Sequence, residues 1–130
     1  EESTMYPLVD LVLKAHIPNA TDATNQVLLI APFDMKVVSI KARHRVASTS
    51  GTLDLVRAAS GVAVSAGTSL LTATMANGGT ADTNVEGSLK TGIADLHVNK
   101  GEALGLLFAG TLTNLEDLDV TVVARQLKQA

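Results

Sequence analysis

The chain holds three histidines, His16, His44 and His97. Imidazole is the side chain most often used to ligate a metal or to move a proton near neutral pH. A zinc site normally draws two ligands from one short stretch, two or four residues apart. Here each histidine falls in a different segment, so no metal site is expected. His44 shares the apolar side of its segment with Ile40, Ala42 and Val46, which predicts a buried, hydrogen-bonded imidazole. Asp82-x-Asn84-x-Glu86 and Glu116-Asp117-x-Asp119 resemble fragments of calcium loops. Both lack the EF-hand spacing and its glycine at position six, so solvated loop carboxylates are expected. Ala63-Val64-Ser65-Ala66-Gly67 comes close to the nucleophile elbow G-x-S-x-G, with alanine replacing the first glycine. That motif works where a strand runs into a helix within a large α/β sheet, and this chain has neither the length nor the alternating pattern. No catalytic residue is therefore assigned, and neither a cofactor nor enzymatic activity is expected. Asn19-Ala20-Thr21 fits the glycosylation sequon, which matters only in a eukaryotic secretory setting.

One charged pattern remains. Lys41, Arg43 and Arg45 line one face of an alternating run, a local basic stripe on a chain of net charge −3. Such a stripe suits docking onto an acidic protein surface, because local charge steers association. The plainer alternative is a solvated face paired with Asp54 across a hairpin. Residues 1–7 form a polar arm that carries Met5 and Tyr6 and ends in Pro7. A thioether and an aromatic ring serve well as interface anchors. Met5, Tyr6, Lys41, Arg43 and Arg45 are the candidate contact residues.

The elements that must position these groups are strands. Residues 36–59 contain two alternating runs around Ser48-Thr49-Ser50-Gly51, with Val38, Ile40, Ala42, His44 and Val46 on one side of the first. An antiparallel hairpin is the simplest expectation. Residues 8–16 alternate as well, with Val9, Leu11, Leu13 and Ala15 opposite Asp10, Val12, Lys14 and His16. A loop is expected over 17–25, around Pro18. Further strands are expected over 26–31, 62–64, 84–90, 94–98 and 103–109, and a last one over 118–128. Asn99-Lys100-Gly101-Glu102 reads as a tight turn. About eight short strands, with turn signals every 8 to 12 residues, predict one antiparallel β-sandwich domain over 8–130, jelly-roll-like in layout.

Composition narrows the function classes. There is no cysteine, hence no disulfide and no thiolate metal site. Tyr6, Phe33 and Phe108 are the only aromatics, too few for sugar or single-stranded-base platforms. The acidic balance offers no field for nucleic acid, and no apolar run approaches the roughly 18 residues of a transmembrane helix. Neither a nucleic-acid nor a membrane partner is expected. Apolar residues make up 46% of the chain and charged ones only 18%. That surplus suits coverage by subunit partners.

The succession of segments resembles the decoration, or cement, proteins of tailed-bacteriophage heads. The resemblance is carried by VVSIKARHRVASTSGTLDLVRAASG, VAVSAGTSLL, ADTNVEGSL, LHVNKGEALGLLFAG and LDVTVVARQL, and it spans the chain from Leu8 onward. It implies a jelly-roll-like homotrimer seated at threefold and quasi-threefold positions on the outer surface of a capsid. It also implies a partner in the major capsid protein and a terminal arm reaching over neighbouring subunits. The competing expectation is a β-sandwich module for ligand binding or adhesion, against which the scarcity of aromatics weighs.

Overall fold

Period-two alternation of aliphatic and polar residues dictates extended structure, and strands dominate. The computed structural model describes residues 9–92 and 94–127. Its strands are β1 (Asp10–Asn19), β2 (Gln26–Ile30), β3 (Met35–Arg43), β4 (Thr52–Ala58), β5 (Thr68–Ser69), β6 (Met75–Ala76), β7 (Val85–Glu86), β8 (His97–Val98), β9 (Ala103–Ala109) and β10 (Glu116–Gln126). One sheet runs β1-β10-β3-β7, with β8 on the same edge of β3 as β7; the other runs β2-β9-β4-β5, with β6 sharing the edge of β4. Counting β5/β6 and β7/β8 as two interrupted strands leaves eight positions, four in each sheet. The first four strands alternate between the sheets. This strand order is that of a jelly roll, a two-sheet antiparallel sandwich.

The core lies between the sheets. Val37, Ile40, Leu118, Val120 and Val122 project from one side and Leu53, Leu55, Leu104 and Leu106 from the other, all fully buried. Aliphatic burial is the main favourable term holding the two layers together, at about 25 cal/mol per Å² of apolar surface.

The expected hairpin over 36–59 does not form. β3 and β4 lie in different sheets. The chain between them is bonded to the segment before β10: Val46 bridges Glu116, Thr49 N–H donates to Thr113 O, and Ser50 N–H donates to Thr111 O. Those bonds carry the chain across the sandwich instead of folding it back on itself. The expected inward face of β3 also changes along its length. The β10–β3 register shifts so that Val123 faces Ser39 and Ala124 faces Val37, which leaves Val38 as the extra residue of a bulge. Val37 is therefore buried and Val38 exposed, while Ile40, Ala42 and His44 point inward as expected.

β1 runs on to Asn19, through the proline expected in a loop. Gln126 N–H donates to Val9 O, so odd-numbered residues of β1 exchange bonds with β10 and even-numbered ones face the open edge. Pro18 thus lacks an N–H only where no ladder bond is made. Residues 62–64 are not a strand. A 3-10 turn (Val64–Ala66) folds over the outer side of β4 and β9, burying Val56 and Ala58 on the face away from the core. Beneath it is Gly105, where a Cβ would lie 2.8 Å from Gln26 O and 2.9 Å from Val64 Cγ2. The strands expected over 84–90 and 94–98 shrink to Val85–Glu86 and His97–Val98. The turn over 99–102 forms as expected. Gly101 takes φ +91° there, and Asn99 N–H donates to Glu102 Oε1 at 2.7 Å.

Candidate interaction surface

β1, β10 and β3 lie side by side, and their outward residues form rows across the first sheet. Asp10, Arg125 and Lys36 make one row; Val12, Val123 and Ser39 the next. Lys14, Thr121, Lys41 and Glu86 follow, then His16, Asp119 and Arg43. Strand alternation places every one of these side chains on the face away from the core.

The charges on this face are largely matched. Arg125 Nε donates to Asp10 Oδ1 at 2.8 Å, and the guanidinium holds that carboxyl below its ordinary value of 3.8 while its own affinity for the proton rises. His16 Nδ1 lies 2.7 Å from Asp119 Oδ1, and its Nε2 lies 3.6 Å from Asp117. Arg45 reaches Asp117 at 2.7 Å and Glu116 at 2.5 Å, and both carboxylates raise its proton affinity, the hydrogen bond to Asp117 most. The expected three-cation stripe is thus reduced. Lys41 and Arg43 are exposed on the sheet and form no ion pair among the described residues, whereas Arg45 lies past the end of β3 and is held by two carboxylates. Asp54, the partner expected across the hairpin, is in the opposite sheet and accepts from Ser69 Oγ at 2.7 Å. Met5 and Tyr6 lie outside the described residues.

The remaining candidates separate in space. His44 is buried, with Nε2 2.9 Å from Gly79 O, and its own carbonyl accepts from Asp82 N–H. Its burial follows from its apolar-face position, and through these bonds it pins the loop after β6. His97 is on β8, where its carbonyl accepts from Arg57 Nη1. Among the described residues no cluster of three metal-ligating side chains exists. Ser65 is exposed within the 3-10 turn over the second sheet, where no strand runs into a helix. The His16–Asp119 pair was not among the expected contacts. Its signal in the sequence is that both residues fall on the polar phase of their alternations.

A crevice of about 340 Å³ opens where β7 and β8 leave the middle of β3 uncovered. Val37, Val38, Leu89, Leu96 and Leu127 form its apolar floor, with Lys36 and Arg125 at the rim. More apolar surface lies along β1 and β2, the free edges of the two sheets on one side of the sandwich. Val9, Val12, Val27 and Ile30 are 47%, 59%, 51% and 65% exposed, and Leu11, Leu13, Leu28 and Leu29 cover the core there only in part.

One solved structure to which the chain is similar is the cyanophage Pam1 capsid asymmetric unit, with 13% identity and a TM-score of 0.48, covering 92% of this chain and 85% of that one. No protein-family model and no curated protein matches the sequence.

Proposed function

We propose that this protein is a structural component of a phage virion that acts by binding and not by catalysis. It sits on the outer surface of the capsid as a homotrimer, contacts the major capsid protein and stabilises the assembled shell. The observation that carries this reading is the open side of the sandwich. A run of half-covered leucines, with Val9, Val12, Val27 and Ile30 exposed beside them, is surface that favours coverage by protein. The segment succession that resembles phage decoration proteins supports it, as does a jelly-roll strand order, an architecture common in capsid domains.

The mechanism is linkage. A protein that binds the assembled lattice, and not its free subunits, stabilises the lattice by the free energy of its own binding. Lys41 and Arg43, free on the outer face of β3, would meet acidic capsid surface, with Met5 and Tyr6 of the arm as anchors. The test is thermal disruption of purified capsids with and without the protein. A higher disruption temperature with saturating protein is expected. No binding to capsids, together with binding to a glycan or receptor, would favour the adhesion-module alternative.

A further inference from the structure

We infer that β1 is a self-complementary edge that pairs antiparallel with β1 of a second copy about a twofold axis through Val12. β1 is ten residues long and unpaired along one side among the described residues, and its register against β10 is unbroken from Asp10 to Ile17. Natural edge strands of this length are usually blunted by bulges, by proline or by an inward charge. Here Pro18 lies at the far end, and the central charge is Lys14. The backbone groups of Asp10, Val12, Lys14 and His16 face the open side, as the Val9–Gln126 bond fixes.

The outward side chains read acid, valine, base: Asp10, Val12, Lys14. Antiparallel pairing centred on Val12 sets valine against valine. It brings each Lys14 opposite Asp10 of the other copy, and each Leu11 opposite Leu13 at the half-open margin of the core. Lys14 lies opposite Thr121 on its own sheet and makes no ion pair among the described residues, so it is available. Asp10 accepts from Arg125 through both carboxylate oxygens, and a carboxylate keeps lone pairs for a second cation. Other registers are worse. Centring on Leu13 sets Val12 against Lys14 and Asp10 against His16, which Asp119 already engages. Centring on Lys14 opposes two ammonium groups. The charge that would repel an unrelated strand therefore selects this one, and specificity of this kind is a difference between registers. The contact is twofold, so it is separate from the threefold contact of the proposed trimer. In free solution the contact is transient, so the trimer mass is unchanged, and on a shell it would join neighbouring trimers.

The chain has no cysteine, so a single introduced thiol reports proximity without background. Directly opposed residues of an antiparallel pair have Cα atoms about 5.5 Å apart, within disulfide reach. Val12→Cys, oxidised or treated with a short thiol-to-thiol cross-linker, should give a covalent dimer at least about tenfold faster than Lys14→Cys or the turn variant Lys100→Cys. Adding Lys14→Asp to Val12→Cys should slow the reaction about tenfold, and adding Asp10→Lys as well should restore it. Asp10, Val12 and Lys14 are all exposed, so these changes leave the core intact. Equal rates for the three single thiols would overturn the inference, as would indifference of Val12→Cys to Lys14→Asp. The native mass of the trimer is measured independently, so failure of either claim is distinguishable from failure of the other.

Discussion

Alanine at position 105 should destabilise the fold, the reverse of its effect in an unobstructed strand. Where the native backbone suits alanine, Gly→Ala stabilises by about 0.4–1 kcal/mol, because it restricts the unfolded chain. Gly105 has no positive φ, so that benefit applies. The added Cβ, however, would sit 2.8 Å from the carbonyl oxygen of Gln26 and 2.9 and 3.1 Å from the two methyls of Val64. Overpacking of this kind costs about 1–3 kcal/mol. The net expectation is a loss of about 1–2 kcal/mol, and for a chain of this length about 4 °C of Tm for each kcal/mol. Thermal and urea unfolding measure it. The double variant with Val64→Ala relieves two of the three contacts, so the penalty of the glycine change should shrink by at least about 0.5 kcal/mol in that background. An unchanged or raised Tm for Gly105→Ala would refute the packing of the Val64–Ala66 turn onto β9.

Three further outcomes are expected. Removing residues 1–7 should leave folding and trimerisation intact but weaken capsid binding at least about tenfold, or about 1.4 kcal/mol, read by cosedimentation. Asp10 is held below its ordinary value of 3.8 by Arg125, so the stability it contributes is present above that pH and lost as pH falls below it. The stability difference between wild type and Asp10→Asn should therefore shrink on acidification through that range, as urea unfolding at stepped pH would show. Added zinc should leave the Tm unchanged; a rise of several degrees that His44→Ala abolishes would show that His44 ligates metal.

Much of the sandwich was legible because burial imposes period two. The inward residues of β1, Leu11 and Leu13, follow the sequence pattern, as do Leu118, Val120 and Val122 in β10. His44 was placed correctly for the same reason. What pattern could not reveal was partnership. Ser48 to Gly51 has the chemistry of a turn whether the next strand pairs with the last or crosses to the opposite sheet. The crossing depends on bonds to Thr111 and Thr113, far along the chain. The bulge at Val38 is equally silent, since Val37 and Val38 are the same residue type and only the register against Val123 and Ala124 decides which is buried. Arg45 looked like a continuation of the Lys41–Arg43 stripe, and its capture by Glu116 and Asp117 is again a long-range pairing. Val56 and Ala58 carry a legible signal. Apolar residues on the polar phase of β4 indicate a second covering layer, which the Val64–Ala66 turn supplies.

On the proposed function this protein is a trimeric stabiliser of a capsid surface. Sedimentation of the protein, first alone at micromolar concentration and then with purified phage capsids, tests it most directly. The free protein should sediment at about three times 13.4 kDa and should move to the capsid fraction when shells are added. A clean monomer that stays behind when the capsids pellet would contradict it.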